Sequence, residues 1–306
     1  MRKLLVALGG NAMVKKGQVG TFEEQLENLR VPVSQIARLC RDHRIVITHG
    51  NGPQVGNILI QQESTEAVPR MPLEICVAQT QGQIGYMIEC TLDNELMKLG
   101  EDMRYLFVTV ITYVVVDPND DAFKNPTKPI GPYYTEDQAR NRPYHFIKTS
   151  GGYRRVVASP RPITIVEKRE IAKLLDSGFI VIACGGGGIP VTKRERRFGG
   201  VEAVIDKDLA SAKLAEETHV DIMLIATDVE KVALNYRTSS QVELNRLTAE
   251  EAKRYLNEDQ FEEGSMKPKM EAAVQFLESG GEKVIITSTD KIVKALEGLA
   301  GTEIVR

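Results

Sequence analysis

The chain is poor in the features that mark several large protein classes. It has only four cysteines in 306 residues, Cys40, Cys76, Cys90 and Cys184, and no CxxC pair among them. That excludes a disulfide-stapled secreted scaffold and a cysteine-based zinc motif. Each cysteine sits in an apolar stretch, which predicts buried free thiols and a reducing, cytoplasmic setting. There is no excess of positive charge either. Lys and Arg number 39 against 42 Asp and Glu, a net charge of −3. Neither a nucleic-acid partner nor a polybasic membrane-surface role is expected from that balance. No run of about 18 apolar residues occurs, so no membrane-spanning helix is expected. The apolar start ends at Gly9-Gly10-Asn11, too soon for the core of a signal peptide.

Familiar catalytic fingerprints are missing too. There is no GxGxxG, which argues against a dinucleotide-dependent oxidoreductase, and no GxxxxGK[ST] phosphate loop. There is no HExxH. His43, His49, His145 and His219 lack zinc-ligand spacing. No GxSxG nucleophile elbow appears.

What is present is a globular composition, 42% hydrophobic and 26% charged, arranged as apolar runs alternating with amphipathic helices. Lys3–Leu8, Arg44–Thr48, Phe179–Cys184, Asp221–Thr227 and Lys283–Ser288 read as buried strands. Tyr105–Val116 reads as one further strand because it is rich in β-branched residues. Thr21-Phe22-Glu23-Glu24 is a capping box opening a helix whose apolar face is Phe22, Leu26, Leu29, Val33, Ile36 and Cys40. Pro32 is expected to kink or break that helix. Residues 73–99 read as a long helix. Gly82 and Gly85 inside it cost about 1 kcal/mol each, which predicts close packing against another helix, of this chain or of a second subunit. Further helices are expected at 167–176, 206–217, 248–257, 268–279 and 290–298. Strands alternating with crossover helices predict an α/β fold with a mostly parallel sheet covered on both faces. Ligands bind such sheets beyond the carboxyl ends of the strands.

Two stretches break the pattern. Asp117–Ser150 holds five of the 13 prolines, with Tyr133, Tyr134, Tyr144 and Phe146 to pack, and reads as an insertion or lid. Lys193–Arg197 reads as an exposed hairpin turn, with an anion site as the alternative.

Three glycine loops follow predicted strands: Gly9-Gly10-Asn11, Gly50-Asn51-Gly52 and Gly185 to Gly188. Each is either a tight strand-to-helix turn or a backbone cradle for phosphate or carboxylate. Three at one sheet edge favour an anion site. Asp206-Lys207-Asp208 opens a helix. It is either a capping cluster or a lysine aimed at phosphate and oriented by Asp208. Gly264-Ser265-Met266-Lys267-Pro268-Lys269 places Lys269 in a first helical turn. A cation there opposes the helix dipole unless an anion is bound.

Together, Leu8–Ala12, His49–Gly56, Gly185–Val191, Glu202–Asp208 and Gly264–Lys269 resemble carbamate kinase, of the amino-acid-kinase superfamily. The resemblance covers essentially the whole chain. It implies a single domain over residues 1–306, a three-layer α/β/α sandwich around a mostly parallel sheet. Residues 1–165 would be a carbamate-binding half with a lid at 117–150, and residues 166–306 a nucleotide-binding half. It implies reversible phosphoryl transfer between ATP and carbamate, giving ADP and carbamoyl phosphate, with Mg²⁺ bound mainly through the nucleotide phosphates. It further implies a homodimer working in the ATP-forming direction of arginine catabolism. By the same resemblance Gly9, Gly10, Asn11, Gly50, Asn51 and Gly52 hold carbamate and the transferring phosphoryl group. Lys207 and Lys269 neutralise charge, and Asp208 holds them. Gly185, Gly186, Gly187, Asp228, Val229, Tyr236, Met266 and Lys269 bind nucleotide. Relatives carry a lysine where this chain has Ala7. Lys128, in the proline-rich insert, is the implied replacement. A different kinase of the superfamily, a carbamoyl-phosphate-synthesising role and a non-catalytic ligand sensor on the same fold are the alternatives.

Overall fold

The structure is a computed structural model describing residues 1–15, 17–101, 104–149 and 151–306. Eight strands form the central sheet: β1 (Arg2–Leu8), β2 (His43–His49), β3 (Phe107–Thr109), β4 (Ile180–Ile182), β5 (Ile222–Thr227), β6 (Arg246–Thr248), β7 (Lys283–Ser288) and β8 (Thr302–Val305). Their order is β6-β8-β7-β5-β1-β2-β4-β3. Every neighbouring pair is parallel except β7 with β8.

Alternation along the strands divides the core. Leu5 and Ala7 face one side with Val46, Val181, Met223, Ile225 and Val284. Leu4, Val6 and Leu8 face the other with Ile45, Ile47, Ile182 and Leu224. Strands buried on both faces must be apolar throughout, and these are. Helices α1 (Phe22–Leu39) and α3 (Leu73–Lys98) cover the second face. The first is covered by α4 (Lys168–Asp176), α5 (Lys207–Glu217), α6 (Ala249–Asn257) and α7 (Met266–Glu278). Helix α2 (Gly52–Glu63) leaves the end of β2.

Several expectations change. Helix α1 runs unbroken through Pro32 behind its Thr21–Glu24 capping box. An interior proline costs about 3 kcal/mol. Burying Leu29, Val33 and Ile36 on the same helix contributes roughly 1.5–3 kcal/mol each and outweighs it. Phe22, expected on the apolar face, is exposed. Tyr105–Val116 is not one strand: β3 ends at Thr109, and Tyr113–Val116 belongs to a separate four-stranded sheet. The break is made from outside, because the Gln81 side chain bonds both the N–H and the C=O of Thr112. Gly85 does pack closely, but against strand β3 of the same chain: a Cβ there would lie 2.4 Å from the Thr109 side chain. Gly82 is exposed and faces open space. Cys40, Cys76 and Cys184 are buried and Cys90 is half-buried, all four free.

The proline-rich insert is folded. Lys128–Tyr134, Gly152–Val157 and Phe146–Thr149 form a three-stranded antiparallel sheet, in that order. Ser150, where the insert was expected to end, lies outside the described residues; the sheet continues past it to Val157. Glu63, at the end of α2, clamps this small sheet to the body. It accepts from Arg142 at 2.6 Å, from the Tyr144 hydroxyl at 2.9 Å and from Arg155 at 3.4 Å. Arg155 also donates to Glu202 at 2.6 Å. Beside this clamp, α2 and the insert meet backbone to backbone, and a Cβ on Gly56 would lie 2.4 Å from the Gly131 Cα. None of these anchors was visible in the sequence pattern.

Candidate active site

Two clefts open at the carboxyl ends of the parallel strands. The central one is lined by Gly10, Gly50, Asn51, Gly52, Lys128, Gly186, Lys207, Asp208, Pro268 and Lys269, among others. The second is lined by Asp228, Val229, Tyr236, Arg237, Phe261, Met266 and Lys269, among others. Among the described residues, Lys269 alone lines both.

The ends of three helices give the central cleft its character. The first residues of α2, α5 and α7 all contribute to its wall. Helix N-termini present unpaired N–H groups and a partial positive charge. Asp206 caps α5, its Oδ1 accepting from the N–H of Asp208 at 2.9 Å. Neither Asn51 at the start of α2 nor Ser265 at the start of α7 caps its helix with a side chain. The uncapped first turn of α2 suits a tetrahedral or planar anion, whereas at the start of α7 the Lys267 N–H bonds the Glu262 carbonyl at 3.1 Å and Pro268 carries no N–H.

Three ammonium groups meet there on two carboxylates. Lys207 Nζ lies 2.5 Å from Asp208 Oδ1, and Lys269 Nζ lies 3.0 Å from Asp208 Oδ2. Lys128 Nζ, from the insert, lies 2.5 Å from Asp206 Oδ2. Asp208 is buried, which alone would raise its pKa. Lys207 and Lys269 overcome that and hold its carboxyl well below the usual range. Burial pushes the Lys207 ammonium down against the pull of Asp208. Lys269 feels burial too, but the Asp208 carboxylate, aided by Asp206 and Asp228, outweighs it and leaves its pKa raised. Counting Lys128, Lys207 and Lys269 against Asp206 and Asp208, the cluster has a net charge of 3 − 2 = +1. His49 is buried, and burial with the nearby Lys207 lowers its pKa to about 4. It is therefore neutral near pH 7, with Nδ1 3.0 Å from the Gly50 carbonyl.

The expected substrate-side residues Gly10, Gly50, Asn51 and Gly52 line the central cleft. Gly9 sits at its base, donating to the Ala226 carbonyl at 2.9 Å, and Asn11 is exposed outside it. On the nucleotide side Asp228, Val229, Tyr236, Met266 and Lys269 line the second cleft. Gly185, Gly186 and Gly187 do not. Gly186 is on the wall of the central cleft and its two neighbours are buried below it. The strand before this loop, β4, pairs with β2 and β3, so it delivers the loop to the central cleft. A glycine loop after a strand signals close backbone approach, but the approach here is to protein. A Cβ on Gly186 would lie 2.2 Å from Asn51 Nδ2, and one on Gly187 2.2 Å from the Ile205 carbonyl. Asp206, expected only as a helix cap, also lines the central cleft and pairs with Lys128 there, a contact that sequence reasoning missed.

The model of the amino acid kinase family matches residues 2–288. The carbamate kinase of Thermococcus kodakarensis is 48% identical over 100% of both chains. That of Pyrococcus furiosus is 47% identical over 99% of both. Among solved structures, carbamate kinase from Giardia lamblia bound to AMP-PNP superposes with a TM-score of 0.92 at 39% identity, covering 99% of this chain and 98% of that one.

Proposed function

The chain belongs to the carbamate kinases of the amino acid kinase family, and we propose that its lysine cluster carries phosphoryl reversibly between ATP and carbamate. The observation that supports this reading best is the place of Lys269. It lines both clefts, so it is where a nucleotide in one and a small acceptor in the other would share a transferring group.

The chemistry asks for little else. Phosphoryl transfer depends on alignment and charge neutralisation more than on a covalent intermediate. Carbamate carries its own nucleophilic oxygen, so the chain need supply no base, and His49 lines neither cleft. Gly10, Gly50 and the open N-terminus of α2 would hold carbamate. Lys207 and Lys128 would face the phosphoryl oxygens, and Lys269 the oxygen bridging to ADP. The described residues contain no cluster of three or more potential metal ligands. Asp206 and Asp208 are taken up by lysines. That fits Mg²⁺ held chiefly by the nucleotide phosphates, as this ion prefers. When bound, it would neutralise phosphate charge.

Phosphorylation by this protein with MgATP should require carbamate, supplied by ammonium bicarbonate. Acetylglutamate, aspartate and UMP should not serve as acceptors. Turnover of any of those three, without turnover of carbamate, would overturn the reading in favour of another superfamily kinase. In this reading the physiological direction is ATP formation in arginine catabolism, with carbamoyl phosphate synthesis as the alternative.

We also propose a homodimer. Ile75, Tyr86 and Met97 are exposed on α3 at intervals of 11 residues, with Gly82 between them. At 3.6 residues per turn they form one stripe, and exposed apolar stripes mark association surfaces. No described helix is long and apolar enough to cross a membrane.

A further inference from the structure

We propose that Asp206 is a positioning residue for the lid lysine, Lys128. The inference rests on the phosphoryl-transfer reading above. The two oxygens of this carboxylate have separate tasks. Oδ1 accepts from the N–H of Asp208 at 2.9 Å and of Leu209 at 3.5 Å, and so fixes the first turn of α5. Oδ2 accepts from Lys128 Nζ at 2.5 Å across 78 residues of chain. The same turn carries Lys207 and Asp208, and Asp208 grips Lys269. One carboxylate therefore sets the lid lysine relative to the other two.

The contact is not needed to hold the lid in place. Glu63 already takes three donors from the insert, Glu202 takes Arg155, and the Gly56–Gly131 approach joins the backbones. Nor does the helix need Lys128, since its cap uses the other oxygen. What remains for the Oδ2 contact is orientation. The Lys128 side chain is 27% exposed and that of Asp206 11%, both on the wall of the central cleft. An ammonium group has three donors. With one directed at Oδ2, the others can point into the cleft, where the phosphoryl oxygens would lie. Without Asp206, a lysine on a flexible four-carbon stem is held by nothing until substrate arrives, and ordering it then costs side-chain entropy.

The Asp206→Asn substitution separates the two tasks. Asparagine caps a helix about as well as aspartate, so the first turn of α5 stays. If its carbonyl oxygen keeps the cap, its NH₂ faces Lys128, donor against donor. Asp206→Ser is the second variant; serine also caps, but is too short to reach the ammonium. Both should lower kcat for ATP formation from ADP and carbamoyl phosphate by roughly 10- to 100-fold, with the ADP dissociation constant changed less than threefold. The decisive arm is the same pair of substitutions in a Lys128→Ala background. There they should cost less than threefold further, because the group they position is gone. Equal losses in both backgrounds would overturn the assignment and leave Asp206 as a helix cap. So would full activity in Asp206→Asn. If the parent protein makes no ATP at all, the phosphoryl-transfer reading fails. Additive losses on an active parent remove only the role of Asp206.

Discussion

Lys207→Ala should lower kcat about a thousandfold, with the affinity for ADP kept within a few-fold. A unit charge pair at about 4 Å is worth roughly 4 kcal/mol at an effective dielectric of 20, and each 1.36 kcal/mol is a factor of ten in rate. The effect should fall on turnover, because Lys207 lines the central cleft and not the second cleft, where nucleotide is proposed to bind. Lys269→Ala should behave differently. That side chain lines both clefts, so kcat and ADP affinity should fall together. The folds should survive. Each single change leaves Asp208 with one of its two lysines, whereas a buried carboxylate stripped of all partners costs about 3–5 kcal/mol. Steady-state kinetics and calorimetric titration with ADP separate the cases. Equal effects of both substitutions on ADP affinity would mean that the lysines have no division of labour.

The second large effect concerns the loop after β4. Gly187→Ala should destabilise the protein by roughly 2–6 kcal/mol. Gly187 has φ near +89°, where a residue with a side chain carries about 1–3 kcal/mol of strain. Its new Cβ would also lie 2.2 Å from the Ile205 carbonyl. Relief of that overlap costs a further 1–3 kcal/mol or so. Because Ile205 precedes Asp206, the displacement would reach the lysine cluster as well, and activity should drop with stability. Gly199→Ala is the control. That site is in the strand Arg197–Gly200, exposed, with nothing within 4 Å of a new Cβ and no positive φ. Alanine there should stabilise by about 0.4–1 kcal/mol. Thermal melts of the two variants should therefore move in opposite directions, with Gly187→Ala lower by on the order of 10 °C. A Gly187→Ala protein that melts with the parent would show that the loop is free to relax.

The sheet was legible because its strands are buried on both faces. A continuous apolar run such as Val46–Ile47, or Ile222–Ala226, has few other places to go. Helix-end electrostatics marked Asp206-Lys207-Asp208 and the lysine in the first turn of α7 as either caps or anion contacts, and Lys128 was reached through the family resemblance alone. What escaped depends on contacts distant in sequence. Tyr105–Val116 is uniformly β-prone, and it is Gln81, on α3, that interrupts it at Thr112. The glycines 185–187 announce a close approach, but not whether ligand or protein approaches. Only the pairing of β4 with β2 and β3 places them beside Asn51 and the central cleft. Asp206 looked like a cap and is one. Its second oxygen is claimed by a lysine 78 residues away, which no local pattern encodes.

In the proposed phosphoryl-transfer site, a lysine delivered by the proline-rich insert completes a cluster built on the sheet, and one measurement tests this most directly. The measurement is the rate of ATP formation from MgADP and carbamoyl phosphate by the parent protein and by Lys128→Ala, with ADP affinity titrated in parallel. The parent should form ATP. The variant should bind ADP as the parent does, since Lys128 lines only the central cleft, and should turn over at least a hundredfold more slowly. Undiminished turnover in Lys128→Ala, or a parent that binds ADP yet makes no ATP, would contradict it.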